Sequence, residues 1–442
     1  MDSMIQPQQK PSDRRMPAPG IKELKSNLNA QQTCPNQKLA LGLAPMDGVT
    51  DLPMRLWISL ASLPDFAITP FFRVTPGYPL QKLPATYCPE ALLQGREQAN
   101  LLNRRVRPQL MGNSPTELAR FSKHLLAWHE SVDLNFGCPA PKIVGHNAGS
   151  GLIRCTKNLK CFLDDFFASV PPERTTIKTR LGFNCKSEAQ AILETLDAFP
   201  LRELTLHGRT RAQKYTGRAD WELIADLASQ ANCPVSVSGD ICSFEHLNKL
   251  RLVFPRVRSV LIGRGAIRNP WLFHELRTCK KVELEWGCLT TSLRLFLLIH
   301  RVILENKQQE LISQIRDIEE SWKTRDEANQ PTGIWPPTSS QESYWTALEE
   351  TLLEHFPIAD ENSQHAKSSL TRLKMLWNFL RTSLPEAFMN PVLLRTRDQA
   401  EFFAFLKEII QIQSESKQFL ILNHFPQRDW IFSGERKTDD SA

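Results

Sequence analysis

Cys138 has neighbours that suggest a chemical role, because it stands in the segment NFGCPAPK between a glycine and a proline. We expect these neighbours to fix a turn and expose the thiol. A thiol with the usual pKa of ~8.5 is mostly protonated at neutral pH, so it can donate a proton or, once ionised, act as a nucleophile. The alternative is an inert buried cysteine, which accounts better for the other nine cysteines of the chain.

Two glycine-containing turns, SGD (238–240) and GRG (263–265), follow apolar segments. Because glycine has no side chain, the backbone N–H groups of such turns can approach an anion closely, particularly where a helix begins. The pair therefore indicates a ligand that carries a phosphate group. Ordinary turn glycines with no ligand are the alternative.

Three further polar side chains occur within or at the ends of apolar segments. Lys178 must emerge at a surface or lose much solvation free energy, so its ammonium should meet negative charge. His207 is either a hydrogen-bonded core residue or a ligand contact. Gln109 either satisfies buried backbone groups or contacts the donor and acceptor edge of a heterocycle.

Eight short apolar runs could bring these residues together as strands: 41–46, 66–71, 107–112, 131–136, 175–180, 202–207, 233–239 and 258–263. Between them, apolar spacings of three and four residues predict helices over 115–130, 187–199, 220–229 and 244–253. This alternation predicts an α/β fold, a (β/α)₈ TIM barrel, ahead of a doubly wound open sheet. In such a barrel the polar residues after the strands share one rim.

The rest of the chain predicts other kinds of structure. Residues 1–38 are rich in Gln, Pro, Ser and Lys, which predicts a disordered tail before a barrel over 39–284. Longer helical periodicities over 289–306, 347–355, 366–384 and 399–413 predict a helical domain over 285–442. Within it, the Pro-, Thr- and Ser-rich segment 324–343 marks an insertion at about 306–362.

Composition narrows the class of protein. The chain has 442 residues, 41% hydrophobic and 23% charged, typical of a soluble globular protein, and a net charge of +6 too diffuse to identify a polyanionic partner. There is no C-x-x-C or H-E-x-x-H spacing, so we predict no metal. The most apolar stretch, 293–304, is interrupted by Arg294, His300 and Arg301, so we predict no membrane span and a reducing, cytoplasmic location.

Seven blocks between residues 41 and 275 resemble the tRNA-dihydrouridine synthases. The blocks are APMDGVTD (44–51), QLMG (109–112), DLNFGCPAPKIVGHNAGSGL (133–152), IKTRLGF (177–183), LHGRTRAQKYTGRADW (206–221), SGD (238–240) and IGRGAIRNPWLF (262–273). The resemblance implies a flavin-bearing barrel followed by a helical domain. It also implies that FMN, reduced by NADPH, passes hydride to C6 of a uridine in tRNA, yielding dihydrouridine.

By the same resemblance, Cys138 is the general acid that protonates C5. The residues expected to bind the cofactor are Pro45, Met46, Asp47, Gln109, Lys178, His207, Ser238, Gly239, Asp240, Gly263 and Arg264. Ser238 stands where the family usually has Asn. A lysine near the pyrimidine edge of the flavin would stabilise the anionic reduced ring, and the glycines would hold its phosphate.

The RNA must present an extruded uracil, so we expect basic residues around the pocket. Between 366 and 384 there is no acidic residue, and three basic residues seven apart fall on one helical stripe. A solvated surface face is the alternative. The residues expected to contact tRNA are Arg73, Asn135, Arg209, Lys367, Arg372, Lys374 and Arg381.

The strings ITPFFRV (68–74) and HGRT-x-x-Q-x-Y (207–215) resemble the bacterial C-type subfamily, which modifies position 16 of the D-loop rather than 17, 20 or 20a. A monomer is expected. Two other functions stay open: a flavin barrel that reduces a free pyrimidine or another small enone, and a redox-inactive paralogue that only binds tRNA.

Overall fold

A computed structural model describes residues 39–83, 88, 106–326, 341–357, 363–415 and 420–422. Ten strand segments form one parallel sheet in this part of the chain. They are β1 (Ala40–Leu43), β2 (Phe66–Ile68), β3 (Phe72–Arg73), β4 (Val106–Arg107), β5 (Gln109–Met111), β6 (Val132–Phe136), β7 (Thr175–Arg180), β8 (Glu203–His207), β9 (Val235–Ser238) and β10 (Ser259–Ile262). Every predicted apolar run overlaps at least one of them.

Two of the eight predicted strands are interrupted by proline. Pro70 lies between β2 and β3, and Pro108 lies between β4 and β5. Proline has no N–H to donate, so it breaks the ladder of hydrogen bonds. Thr69 bridges the break, because its N–H donates to the Arg107 carbonyl and its hydroxyl accepts from the Gln109 N–H, both at 3.0 Å.

The sheet closes into a barrel. Its strand order is β3-β5-β6-β7-β8-β9-β10-β1-β2-β4, with all neighbours parallel. Because β2 and β3 belong to one interrupted strand and β4 and β5 to another, the two ends of this order lie at the same seam. The predicted (β/α)₈ fold is therefore confirmed.

The helices of the barrel region are α1 (Leu52–Ser62), α2 (Pro115–Leu125), α3 (Pro141–Gly145), α4 (Thr156–Phe167), α5 (Ala189–Leu196), α6 (Trp221–Gln230), α7 (Phe244–Val253), α8 (Arg264–Arg268) and α9 (Leu272–Thr278). Ser114, Asp220 and Ser243 cap α2, α6 and α7 by accepting from the N–H three residues later. The four predicted barrel helices are present, with ends that differ by a few residues.

Further helices follow the barrel: α10 (Trp286–Leu304), α11 (Gln308–Asp326), α12 (Gln341–His355), α13 (Gln364–Leu380), α14 (Val392–Arg395) and α15 (Gln399–Ser414). Among the described residues, α10 alone is long and apolar enough to cross a membrane, and 72% of its most apolar window is buried. It packs on α1, α12 and α13, and Trp57 of α1 donates to the Ser292 carbonyl at 2.8 Å. The burial explains its apolar composition, as in the core helix of a bundle.

Three features differ from the sequence expectations or lie beyond them. The predicted insertion contains both α11 and α12, and Leu311 and Ile315 of α11 are fully buried. A short antiparallel pair, β11 (Glu283–Leu284) with β12 (Leu420–Ile421), was not predicted, because two residues are too few to show a strand period. Residues 1–38, 327–340 and 358–362 lie outside the described residues, and the division at residue 284 remains a prediction.

Candidate active site

A cleft of about 310 Å³ opens at the C-terminal rim of the barrel. Most of its lining residues lie in or after the strands β1, β6, β7, β8, β9 and β10. Twelve of the predicted site residues line it: Pro45, Met46, Asp47, Asn135, Cys138, Lys178, His207, Ser238, Gly239, Asp240, Gly263 and Arg264. Parallel strands direct their carboxyl ends to one rim, which is why residues so far apart in sequence converge.

The loop after β6 presents Cys138 to the cleft and is held by hydrogen bonds at both ends. The Asn135 side-chain Oδ1 accepts from the Gly137 N–H at 3.1 Å and from the Cys138 N–H at 2.9 Å. The Ser150 hydroxyl donates to the Cys138 carbonyl at 2.8 Å. Gly149 has φ +55°, and a Cβ there would lie 3.1 Å from the Cys138 Cβ, so the motif needs glycine at this position.

The Cys138 thiol is protonated at neutral pH. Burial raises its pKa above the ordinary value of 9.0, and the Asp47 carboxylate also raises it. The Arg180 guanidinium and the Lys178 ammonium act in the opposite direction. The thiol therefore holds a proton next to cations that would stabilise the thiolate left after that proton is donated.

One wall of the cleft is cationic. Burial and, to a lesser extent, the charge of the neighbouring Arg180 lower the pKa of Lys178 to about 8. Arg180 donates to three backbone carbonyls: Gly137 at 2.8 Å, Thr210 at 3.0 Å and Lys214 at 2.7 Å. Lys178, Arg180, Arg264 and Arg268 are the basic residues of the lining, against Asp47 and Asp240. The cleft therefore favours an anionic ligand.

His207 lies in the lining as a neutral imidazole. Burial lowers its pKa well below 6.5, and the charges of Arg180 and Lys178 lower it as well. Its Nδ1 is buried and has no hydrogen-bond partner among the described residues. Buried polar atoms in native proteins normally have a partner, so a ligand heteroatom is expected here.

The turn after β9 is set by a buried ion pair. Gly239 and Asp240 have φ +113° and +63°, and a Cβ on Gly239 would lie 3.0 Å from the Ala219 Cβ. Asp240 Oδ2 accepts from Arg209 at 2.8 Å and from the Ala219 N–H at 2.6 Å. Arg209 is 0% exposed. The Arg209 guanidinium is thus used inside the barrel rim, and a contact between Arg209 and tRNA remains a prediction that this structure does not support.

The turn after β10 lies close to the turn after β9. A Cβ on Gly265 would lie 2.6 Å from the Ile241 carbonyl oxygen, and one on Gly263 would lie 3.3 Å from the Met46 Sδ. Glycine is therefore needed at position 265, where the backbones of the two turns approach each other. Arg264 extends towards the Asp240 carboxylate, with 3.8 Å between Nη2 and Oδ1.

Besides Arg209, two predicted barrel residues lie off the cleft lining. Gln109 is 1% exposed, and its amide is hydrogen-bonded to Asp133 at 2.6 Å and to Asn135 at 2.9 Å. Arg73 is exposed on β3. Gln109 therefore acts on the Cys138 loop from beneath, and its role as a direct ring contact remains a prediction.

The predicted basic residues of α13 have different environments. Lys367 is exposed. Arg372 pairs with Asp51 at 2.7 Å and also donates to the Gly48 and Val49 carbonyls, which ties α13 to the loop before α1. Lys374 donates to the Thr396 carbonyl, and Arg381 to Asn378 and the Met389 carbonyl. Lys367, Lys374 and Arg381, which are spaced seven residues apart, thus do not form one free basic face.

Several lining residues were not assigned a role from the sequence. Arg268 lies four residues after Arg264 in the same short helix, a spacing that was visible in IGRGAIR. Tyr215 is 44% exposed, and its ring centre lies 5.5 Å from the Arg180 guanidinium carbon and 5.3 Å from that of Arg264. Phe379 reaches the cleft from α13. No local signal links Phe379 to the barrel, because this contact exists only after the helices dock.

The chain is similar in sequence to known proteins. The family described as dihydrouridine synthase (Dus) matches residues 42–328. The tRNA-dihydrouridine(16) synthase of Yersinia pestis is 32% identical over 235 residues, covering 52% of this chain and 73% of that protein. The enzyme of the same name from Haemophilus influenzae is 30% identical over 239 residues, covering 53% and 76%.

Solved structures also align with the chain at low similarity. An old yellow enzyme homologue from Zymomonas mobilis has a TM-score of 0.36 and 11% identity, covering 55% of this chain and 89% of that one. Morphinone reductase in complex with tetrahydroNAD has a TM-score of 0.37 and 10% identity, covering 55% and 87%.

Proposed function

The chain belongs to the dihydrouridine synthase (Dus) family, and we propose that it reduces the C5=C6 bond of a D-loop uridine in tRNA, with FMN bound and NADPH as reductant. It is a flavin-dependent oxidoreductase. The proposal depends above all on one observation: a protonated thiol, Cys138, shares a cleft with a cationic, glycine-lined wall. The names of several relatives, which are tRNA-dihydrouridine(16) synthases, support position 16 as the target.

The residues of the cleft fit a flavin mononucleotide. The turns at Gly239 and Gly263 allow a phosphate to approach the backbone, and Arg264 and Arg268 supply positive charge beside them. The unsatisfied Nδ1 of His207 can pair with a heteroatom of the ring system. Lys178 is placed on the same wall to stabilise negative charge on the ring. When bound, the flavin supplies the hydride that adds to C6.

Cys138 completes the addition at the other carbon. Its thiol donates a proton to C5 as C6 gains hydride, so both carbons of the double bond become saturated and a thiolate remains. Lys178 and Arg180 stabilise that thiolate through their charges. The cleft is open to solvent, which returns the proton before the next turnover.

The helix α13 is proposed to guide the RNA. Phe379 of this helix lines the cleft, and Lys367 is exposed near its N-terminal end. A uracil stacked in folded RNA cannot reach the cleft, so the base must be extruded from the stack. A helix that borders the cleft and carries a basic residue suits the flanking phosphates.

FMN affinity should fall as the pH rises through about 8, the pKa of Lys178 in the free cleft. The carbonyl oxygens of the flavin ring accept a stronger hydrogen bond from the ammonium than from the neutral amine, so binding is strongest below that pH and weakens by about five- to tenfold towards pH ~9.5. Titrations of the apoprotein with FMN, followed by flavin fluorescence, measure this. Lys178→Met should bind more weakly with little pH dependence, whereas Lys142→Met, at an exposed lysine, should keep the wild-type slope. A Lys178→Met profile as steep as wild type would contradict the assignment.

Charge reversal at Lys367 should weaken tRNA binding. Lys367→Glu is expected to lower the salt slope of binding by about 1 while NADPH oxidation stays at the wild-type rate, because the residue lies outside the cleft lining. Filter binding over a range of salt concentrations measures the slope. Lys123→Glu, an exposed lysine on α2, is the matched control. Equal affinities for the two variants would show that Lys367 does not contact RNA.

The function itself is tested with the purified full chain, FMN, NADPH and unmodified tRNA transcripts. We expect bound flavin and dihydrouridine at position 16, located by reverse-transcription or mass-spectrometric mapping. Reduction of free uridine with no gain from intact tRNA would support the small-enone reductase instead. A protein that binds tRNA but retains no flavin would support the redox-inactive paralogue. Dihydrouridine at 17, 20 or 20a would overturn only the choice of position.

A further inference from the structure

A buried carboxylate, Asp133, lies beneath the Cys138 loop at the end of a chain of hydrogen bonds. Asp133 Oδ2 accepts from the Gln109 Nε2 at 2.6 Å. Gln109 Oε1 accepts from the Asn135 Nδ2 at 2.9 Å, and Asn135 Oδ1 accepts from the Gly137 and Cys138 N–H groups. Asp133 is 0% exposed, and the register of β5 and β6 places it directly opposite Gln109.

We propose that Asp133 is a positioning residue, whose negative charge fixes the direction of both amides and thereby the loop that carries Cys138. This inference rests on the proposed function, in which Cys138 is the proton donor, and it deepens that function by adding a residue outside the cleft lining. Asp133 is absent from the lining, so it acts through Gln109 and Asn135 rather than on substrate.

The orientation of the two amide side chains follows from which of their atoms can donate and which can accept a hydrogen bond. An amide side chain has nearly the same shape after a 180° flip, so shape alone does not orient Gln109 or Asn135. An ionised carboxylate can only accept, so Gln109 must turn its NH₂ group towards Asp133 and its oxygen towards Asn135. Asn135 must then donate to Gln109 and keep its own oxygen for the two backbone N–H groups.

If both amide side chains were flipped, the Asn135 NH₂ group would face the Gly137 and Cys138 N–H groups. Donors facing donors lose both hydrogen bonds, and the buried N–H groups left unsatisfied destabilise the reversed arrangement. The Thr176 hydroxyl holds the other oxygen of Asp133 at 2.5 Å. Burial raises the pKa of Asp133 to about 6, so the group is ionised at pH 8 and accepts only.

The proposal is tested by variants that remove the carboxylate from position 133 or transfer it to position 109. Asp133→Leu removes the acceptor, and Gln109→Glu alone sets two carboxylates against each other. In Asp133→Asn with Gln109→Glu, the new amide donates to the new carboxylate, which still accepts from Asn135, so the direction is retained. The readouts, measured at pH 8 without flavin, are hydrogen exchange of the Gly137 and Cys138 amides and the peptide-resolved rate of Cys138 alkylation by iodoacetamide.

We expect Asp133→Leu and Gln109→Glu to raise exchange at these amides by at least ~10-fold, and the double variant to stay within about threefold of wild type. Thr176→Val, which removes a hydrogen bond to Asp133 without changing the amides, should also stay close to wild type. A double variant as unprotected as Gln109→Glu would overturn the proposal, as would full protection in a folded Asp133→Leu. If Asp133→Leu does not fold, the comparison of Gln109→Glu with the double variant decides.

These readouts do not depend on turnover. If the wild-type protein makes no dihydrouridine but the variants lose amide protection, the positioning role is supported and the proposed function is contradicted. If the wild-type protein makes dihydrouridine but protection is unchanged in every variant, the proposed function is supported and the positioning role is contradicted.

Discussion

Cys138→Ala is expected to abolish most dihydrouridine synthesis while leaving flavin and tRNA binding intact. Removal of a general acid typically costs ~10²–10⁴-fold in rate, because the carbanionic centre at C5 then depends on water for its proton. The thiol lies in the cleft lining but is not part of the glycine turns or the cationic wall, so the binding surfaces persist. Single-turnover reduction of tRNA, followed by dihydrouridine quantification, measures the loss.

The same cleft offers a matched control. Cys242 also lines it, and burial raises the pKa of this thiol to about 11, yet it follows the turn after β9 rather than the loop after β6. Cys242→Ala should retain turnover within about threefold, as expected for loss of a side chain with no part in proton transfer. Wild-type yields from Cys138→Ala would remove the proton-donor assignment, and equal losses in both variants would point to a general effect on the cleft.

The second large effect concerns the buried ion pair between Arg209 and Asp240. Arg209→Met should lower the free energy of unfolding by about 3–5 kcal/mol, because it leaves the carboxylate of Asp240 buried without its main partner. Flavin retention should fall with it, since Asp240 at φ +63° shapes the turn that faces the proposed phosphate. Denaturant unfolding and the flavin absorbance of the purified protein measure the two consequences.

A surface ion pair supplies the comparison. Arg202 pairs with Glu130, whose side chain is 72% exposed, so Arg202→Met should change the free energy of unfolding by less than about 1 kcal/mol. Equal stability of Arg209→Met and the wild type would show that the Asp240 carboxylate is satisfied in another way. Loss of stability with normal flavin content would separate the ion pair from the phosphate turn.

The sequence predicted the barrel well because its signals are local. Apolar runs of strand length occur at all eight positions, and the residues after them converge because parallel strands end on one rim. That reasoning alone predicts that Cys138, Lys178, His207 and both glycine turns lie around one rim, and all of them line the cleft. The two prolines that interrupt strands are present in the sequence, but their effect on the sheet could not be predicted from it. Only the pairing of the strands shows which hydrogen bonds the missing N–H groups would have made.

Side-chain partners were less accessible, because they depend on residues distant in sequence. Arg209 was expected to meet RNA, yet Asp240, 31 residues later, takes its charge. Arg372 was assigned to the same role, yet it binds the loop near Asp51, more than 300 residues earlier. The seven-residue spacing of Lys367, Lys374 and Arg381 defined a helical face, but not which neighbouring carbonyls would occupy two of those cations.

The sequence by itself thus determined the type of fold, the family and the residues that meet at the rim, since periodicity and motif order act within short segments. Only the tertiary structure decided which polar groups remain available for a ligand and which are consumed internally. The physical reason is that desolvation and hydrogen-bond satisfaction are properties of packed neighbours. Asp133 illustrates the difference. Its position in the segment DLNFGC can be read from the sequence, but its hydrogen bond to Gln109, and through Gln109 its link to Asn135, exists only because β5 and β6 pair.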